Sequence, residues 1–564
     1  MTILQGRSAS TSTSSSCLSL DELNKDKTHQ RSSTESLAGT EGVITQEPAT
    51  WRNMPNKSQL AVIAAARITE LLSERSQATY MFYQLQSFAP QGEASDGQVV
   101  SQAGILMASW AAAQSIMAVW WGRAADSPRL GRKSVLLIGL SGTAISGLGT
   151  GFAQSFNQVL LLKVLAGGLN TNMGIFRTMI GETTDPRFES RAFLLLPMCF
   201  SIGEVLGPLL GGFLADPSTS SDSNVFAWMA RFPFVLPNLI CALFILISAL
   251  IITLWLDETH PSLRWSGQDQ GRKIGRWITK RLCSIFSKDK RYERLPARDE
   301  EELAAYPKAY EASGNSMDSR LSSDSTNSSV TPVDTQPTLQ SQDNTKLRRL
   351  LNWRVAITLL THFILVLHIS AFNTSILSFL SAQRAEASQT VFSLHLAGGV
   401  GLSLYKVGLA VALLGFIGLS TQVLIYPFVT TKLGSFTSYK TFLPLAGLGY
   451  FFLPFMIILP NDSWMLWLVL FLLLGSHALS RTFAQPGMII LVNKCAPDPR
   501  LCATIHGMAL SIGSMARILG PFGSGWALKL GLENNMVGVV WWCMAFAVGV
   551  NWILLSTLPS LDSS

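Results

Sequence analysis

Four polar residues recur along one stretch of otherwise apolar chain. Arg67, Glu70, Glu74 and Gln77 follow i, i+3, i+7 and i+10, so a helix there carries all four on one face, with Arg75 just off it. A charge at the centre of a bilayer costs at least ~2.5–3.5 kcal/mol on insertion scales, so such groups face a cavity or a partner. A carboxylate in a partly desolvated cavity can alternate between protonated and ionised forms, which suits it to carry a proton. Glu70 is the first candidate for that acid and Glu74 the second, with a purely structural Arg67–Glu70 pair as the competing reading. Lys163, His368, His477 and Arg481 are further ionisable groups inside apolar runs. His477 and Arg481, at i and i+4, lie on one side of a helix and are candidates to line the same cavity. Tyr80, Tyr83, Trp110, Phe176 and Trp228 offer either an apolar substrate surface or ordinary packing. There is no Walker A loop, nucleophile elbow or metal-ligand cluster, and the seven cysteines include no CxxC. The reading is therefore a protein that is not an enzyme and needs no cofactor or metal.

The composition says which elements must hold these groups. The chain has 564 residues, 48% apolar and only 14% charged, against about 25% charged in soluble domains. Lys and Arg total 43 against 36 Asp and Glu. In so apolar a chain that basic excess signals membrane topology rather than a nucleic-acid partner. Apolar runs long enough to span lie near 59–84, 101–121, 135–155, 158–181, 192–215 and 229–256, then near 354–380, 403–430, 439–459, 463–491, 502–529 and 536–558. They are continuously apolar rather than alternating, which excludes a β-barrel. The expected fold class is an all-α membrane protein, with twelve transmembrane helices in two six-helix pseudo-symmetric bundles at 51–256 and 350–558.

Residues 1–50 read as a disordered cytosolic tail and 559–564 as a second short tail. The start lacks a cleavable signal, and Thr2 excludes N-myristoylation. Basic turns place both termini and the linker 257–349 in the cytosol: Arg123, Arg129, Arg132 and Lys133; Arg187 and Arg191; Lys432 and Lys440; Lys494 and Arg500. Asn461-Asp462-Ser463 is a glycosylation sequon in a loop too short to be used. Within the linker, 271–286 reads as a basic amphipathic helix with Ile274, Trp277, Ile278, Leu282, Ile285 and Phe286 on one face. It suits the anionic inner leaflet or docking beneath the bundle, with calmodulin a third occupant. The stretch 299–343 reads as disordered and open to phosphorylation.

An internal repeat is visible. Asp185-Pro186-Arg187 recurs as Asp498-Pro499-Arg500, and Gly207-Pro208 with Gly211-Gly212 recurs as Gly520-Pro521 with Ser524-Gly525, at one shared offset. The same offset sets Glu204 opposite Arg517. Parallel repeats place a substrate site between the halves near the bilayer midplane.

At these residues a family resemblance becomes specific. Trp121-Gly122-Arg123-Ala124-Ala125-Asp126-Ser127-Pro128-Arg129-Leu130-Gly131-Arg132-Lys133 resembles the loop signature of the major facilitator superfamily. Gly203-Glu204-Val205-Leu206-Gly207-Pro208-Leu209-Leu210-Gly211-Gly212 resembles the fifth-helix motif of its drug:proton antiporter branch. Trp51-Arg52-Asn53-Met54-Pro55, the long insert, and His506-Gly507 ahead of Arg517-Ile518-Leu519-Gly520-Pro521 resemble fungal twelve-span members. The resemblance implies that Gly122, Asp126, Gly131, Arg132 and Lys133 form a gate latch, and that Gly203, Glu204, Gly207, Pro208, Gly211 and Gly212 pack the halves tightly. Ser127-Pro128 lengthens the first motif beyond its usual form. Lys163 stands where the family's fourth-helix motif has Arg, Asn373 where relatives often have an acid, while Arg67, Glu70 and His368 match. The expected function is proton-coupled export of small amphipathic organic molecules by a monomer, in the plasma membrane or alternatively the vacuolar membrane. A proton-linked uptake symporter for a nutrient or metal chelate, and a non-transporting nutrient sensor, remain as alternatives.

Overall fold

The computed structural model describes residues 53–88, 95–170, 172–185, 188, 192–215, 232–260, 262–263, 270–286, 352–385, 396–460, 463–495 and 502–558. The expected tails, the 299–343 segment, Trp228, the Asp498-Pro499-Arg500 turn and residues 461–462 of the sequon lie outside them. By contacts the chain divides at Met54, and the following account concerns the unit from Pro55 onward.

The elements are α1 (Lys57–Gln86), α2 (Asp96–Ala125), α3 (Gly131–Phe152), α4 (Phe156–Leu169), α5 (Asn172–Thr183), α6 (Leu195–Leu214), α7 (Val235–Trp255), α8 (Gln270–Phe286), α9 (Trp353–Ser381), α10 (Leu404–Ser420), α11 (Tyr426–Leu433), α12 (Ser435–Phe452), α13 (Trp464–Lys494), α14 (Cys502–Glu533) and α15 (Gly538–Thr557). A π-helical turn, Thr421–Ile425, joins α10 to α11. Among the described residues ten helical segments are long and apolar enough to cross a membrane. Helices α1, with 30 residues, and α14, with 32, have the length as well. Their polar residues lower their apolarity, and the stripe on α1 carries the candidate site.

The packing repeats itself. In the first bundle α1 packs on α6 and α7, α3 on α7, and α2 on α4; in the second α9 packs on α14 and α15, α12 on α15, and α10 on α13. The bundles meet through α6 on α10 and α14 on α2. Glycines let the backbones touch there. A Cβ on Gly408 would sit 2.6 Å from the Pro208 carbonyl oxygen and 3.1 Å from the Gly212 Cα. A Cβ on Gly104 would sit 2.6 Å from the Pro521 carbonyl oxygen and 3.1 Å from the Gly525 Cα. The repeat read from Gly207-Pro208 and Gly520-Pro521 is thus a repeat of contacts.

These contacts close one end of the molecule, where α2 begins. There the Asp96 carboxylate accepts from the Gln383 backbone N–H at 2.6 Å, and the Tyr83 hydroxyl donates to the Leu402 carbonyl. Toward the other end, Gly122 of α2 and Gly507 of α14 have no atom near enough to touch an added Cβ. Gly408→Ala is therefore expected to loosen the closed end, raising the labelling rate of a cysteine placed at Asn373 several-fold over the unsubstituted background. Unchanged labelling would contradict this packing role.

Helix α8 docks on the end of α7. Cβ atoms at Gly271 and Gly275 would collide with the Thr253 and Leu254 carbonyls, Trp255 Nε1 donates to Thr279 Oγ1 at 3.1 Å, and Arg272 pairs with Asp257. Ile274 and Trp277 stay exposed. The glycine face of the helix makes the contact, Ile274 and Trp277 are left outward, and Ile278 is partly covered.

Candidate functional site

The span expected at 158–181 is two helices. The chain leaves the helix after Leu169, and Gln114 Nε2 satisfies the Asn170 carbonyl at 2.8 Å. Non-helical backbone at membrane depth is tolerated only inside protein or beside a cavity. The break brings Asn172, at the start of α5, against α1.

Glu70 is fully buried. One carboxylate oxygen accepts from Arg67 Nη1 at 2.6 Å and the other from Asn172 Nδ2 at 2.9 Å. Two turns on, Lys163 Nζ donates to Gln77 Oε1 at 2.8 Å, and Gln77 Nε2 donates to Ser73 Oγ at 3.4 Å. Lys163 is thus anchored by an amide rather than by an acid. Glu74 is held only loosely, 3.9 Å from Arg75, with 35% of its side chain exposed.

A second charge cluster joins the bundles. Arg481 of α13 meets Glu204 of α6 with two parallel hydrogen bonds of 2.9 and 2.5 Å, and Arg75 of α1 stands 4.0 Å from the same carboxylate. The Phe200 ring lies under both guanidinium groups, at 4.7 and 5.3 Å from its centre. A planar guanidinium fork matches a carboxylate bidentately, so this geometry suits Arg and not Lys. Glu204 pairs with Arg481, not with its repeat counterpart Arg517. Beyond Glu204 lies a cavity of about 20 Å³, bordered by Arg75, Pro208 and Asn373, room for about one water molecule.

Two expectations need correction, and the aromatic residues take the packing alternative. His477 does not line a cavity beside Arg481: Phe372 stacks on it at 3.7 Å, and the Tyr450 hydroxyl sits 2.9 Å from its Nδ1 and 3.2 Å from that of His368. Both histidines belong to an aromatic cluster in the core of the second bundle. Tyr80 and Phe176 are likewise fully buried, Tyr80 accepting from Asn238 Nδ2 at 2.5 Å, so they pack rather than present a substrate surface. Gly203, Gly207 and Gly211 do not join the halves: they seat α6 on Leu71, Arg75 and Ser76 of α1, and only Gly212 faces the second bundle. Gly520 does the same on α9, against the Leu367 carbonyl.

The 126–133 loop is tied by residues that its motif does not contain. Gly131 has φ +71°, the left-handed region that a side chain disfavours. Glu258, just past α7, accepts from the backbone N–H groups of Arg132 at 3.1 Å and Lys133 at 3.0 Å, and so caps the start of α3. Arg132 reaches Glu182 of α5 at 2.7 Å and Asp126 at 3.6 Å, while Lys133 Nζ donates to the Thr253 carbonyl. A Cβ added at Gly122 would touch nothing, so this member of the expected latch packs on no neighbouring helix in this conformation. Gly131→Ala would set a methyl 2.6 Å from Glu258 Oε2 and 2.7 Å from Leu263 Cδ1 at a strained φ. It is expected to destabilise the protein by about 1–3 kcal/mol, read as a lower Tm; an unchanged Tm would contradict the cap.

Sequence reasoning missed Asn172, Glu182 and Glu258. The polar Asn170-Thr171-Asn172 run after Gly167-Gly168, inside an apolar span, was the available signal for the first. For the two acids no spacing rule existed, because their partners are distant in sequence.

With this geometry in view, the sequence profile of the Major Facilitator Superfamily matches residues 78–521. The chain belongs to that superfamily. As a member it is a membrane transporter of small molecules. The "Major facilitator superfamily multidrug transporter mfsB" of Aspergillus fumigatus is 28% identical over 504 residues, covering 87% of this chain and 81% of that protein. The "Efflux pump azaK" of Aspergillus niger is 28% identical over 222 residues, 39% of this chain and 45% of the pump. Among solved structures, a D-xylose-proton symporter superposes with TM-score 0.56 at 13% identity, covering 90% of this chain and 99% of the symporter. That likeness is one of superfamily fold.

Proposed function

We propose that this superfamily member is a proton-coupled exporter of small amphipathic organic molecules, working by alternating access between two six-helix bundles of twelve spans in all. The similarity to a fungal multidrug transporter and a fungal efflux pump supports export. One observation carries the proton coupling. Glu70 is a fully buried carboxylate whose ionic partner, Arg67, lies on its own helix, so a proton can replace that partner without breaking any contact between elements. Glu74, partly exposed and loosely held, is the second candidate. Basic turns at one end place that end in the cytosol, by the positive-inside rule. The closed end at Asp96 is then outer, and the end that carries Gly122 and Gly507 is inner.

In this cycle Asp126, Gly131, Arg132 and Lys133 act as a latch that regains a partner near Gly122 when the cytosolic end closes. Lys163 holds Gln77 in the stripe below Glu70. Helix α8 rests its Ile274 and Trp277 on the inner leaflet of the plasma membrane while its glycines hold α7. Trp277→Ala is expected to reduce stabilisation of the protein by anionic lipid; equal stabilisation in both forms would contradict the lipid contact.

Coupling is tested in proteoliposomes carrying a pH-sensitive dye inside. A pulse of rhodamine 6G outside should alkalinise the lumen, because entering substrate exchanges for a leaving proton. Acidification would mean symport, and no change would mean uncoupled flux.

A further inference from the structure

A cavity of about 480 Å³ lies where the start of α1, the end of α7 and helix α8 meet. That size falls within the ~300–1,000 Å³ of small-molecule sites, and the transport cycle makes no use of it. Hydrogen bonds among all three helices fix its walls. Gln59 Nε2 donates to the Trp255 carbonyl at 3.1 Å and to Asp257 Oδ2 at 2.9 Å. The Asp257 N–H donates back to Gln59 Oε1 at 3.0 Å. On the far side the Trp255 indole donates to Thr279 of α8. Trp255 is thus pinned at both ends, and with Val62 of α1 it supplies the apolar part of the lining.

Two cations border the same space. Arg272 and Arg276 stand at i and i+4 on one face of α8. Arg272 is neutralised, because its Nε and Nη2 donate to the two carboxylate oxygens of Asp257 at 2.5 and 3.2 Å. Arg276 makes no ion pair and no hydrogen bond among the described residues. The cavity therefore carries one uncompensated positive charge. Ser58 also borders it, in the first turn of α1, where the positive end of the helix dipole favours an anion. A guanidinium group takes phosphate oxygens with paired hydrogen bonds, and the Ser58 hydroxyl adds a donor. The apolar wall beside these donors has no use for a free phosphate ion. It suits a phospholipid, and the outward Ile274 and Trp277 continue an apolar surface along α8.

We propose that this cavity binds the phosphate of an anionic phospholipid whose headgroup carries no cation, held by Arg276 and Ser58 with the glycerol against Val62 and Trp255. A zwitterionic lipid is disfavoured, because its ammonium group would enter beside Arg276. Asp257, the nearby carboxylate, is already occupied by Arg272 and Gln59. The bound lipid links α8 to α1, the helix that carries Glu70. The proposal rests on the transport reading only in taking this end of the molecule to face the inner leaflet.

Purified full-length protein in a neutral detergent is titrated with dioctanoyl phosphatidylglycerol, dioctanoyl phosphatidylcholine or glycerol 3-phosphate, and bound ligand is counted by native mass spectrometry. Phosphatidylglycerol is expected to form a single-lipid adduct at least about tenfold tighter than either of the others. Arg276→Gln should weaken that adduct by about tenfold. Lys273→Gln removes the same charge from the same helix but outside the cavity, and should leave the adduct unchanged. Arg276 has no partner to lose, so its variant should elute as the parent does. Equal affinity for the two lipids, or glycerol 3-phosphate bound as tightly as lipid, would overturn the proposal. So would an adduct that Arg276→Gln leaves intact, or one that Lys273→Gln weakens equally, which would spread the lipid over the whole basic face. No gradient enters this measurement. An absent adduct therefore overturns the lipid site and leaves proton-coupled export standing, whereas uncoupled flux with an intact adduct overturns the coupling alone.

Discussion

Glu204→Gln is expected to reduce transport by about a hundredfold or more, the largest effect of any single substitution in this protein. The change leaves Arg481 buried beside an uncharged amide, and takes from the part-buried Arg75 one of its two carboxylate neighbours. Removing one partner of a buried ion pair costs about 3–5 kcal/mol, because the charge left behind has neither water nor a counter-charge. The pair joins α6 to α13 and hence one bundle to the other, so the loss falls on the conformation in which the bundles are closed at this level. Arg481→Gln should act similarly. The exchanged double variant, Glu204→Arg with Arg481→Glu, should recover only part of the loss, since Arg75 then faces a like charge. Rates are compared per unit of protein that elutes as a folded species. A Glu204→Gln protein with the parental rate and Tm would show that the pair carries no weight in the cycle.

Glu70→Gln is expected to separate coupling from translocation. The amide oxygen can still accept from Arg67, and the amide NH2 can donate to Asn172 once that side chain turns its oxygen inward, so the shape of the seat is kept, but no proton can be released. Gradient-driven accumulation should fall by about tenfold or more, to the level of passive exchange. Exchange of labelled for unlabelled substrate at equal pH on both sides should stay within about threefold of the parent. Accumulation retained in Glu70→Gln and lost in Glu74→Gln would move the coupling acid one turn along α1. Retention in both would remove the coupling acid from α1 altogether.

Much of this was legible in the sequence, for identifiable reasons. Helix periodicity alone placed Arg67, Glu70 and Gln77 on one face of α1, because i, i+3, i+7 and i+10 is a geometric property of the chain. The offset between Gly207-Pro208 and Gly520-Pro521 marked matched positions on α6 and α14, although Gly207 and Gly520 pack within their own bundles and the approach across them is made by Gly212 and Gly525. Pairing across bundles was not legible. Glu204 was aligned with Arg517 by the repeat and bonds Arg481 instead, and no local rule connects positions so far apart. The same holds for Glu258 on the α3 N-terminus and Asn172 on Glu70. His368 and His477 misled because an ionisable residue in an apolar span reads alike whether it faces water or Tyr450. The helix at 271–286 was readable as amphipathic, but its docking through Gly271 and Gly275 was hidden in the residues with least side chain.

The most direct measurement is accumulation of rhodamine 6G by proteoliposomes under an imposed pH gradient. For a proton antiporter the sign does not depend on how the protein is oriented in the vesicle. An acid lumen should drive dye inward above its outside concentration, an alkaline lumen should prevent this, and a protonophore should abolish the difference. Accumulation driven by acid outside, or dye flux equal under both gradients, would contradict the account.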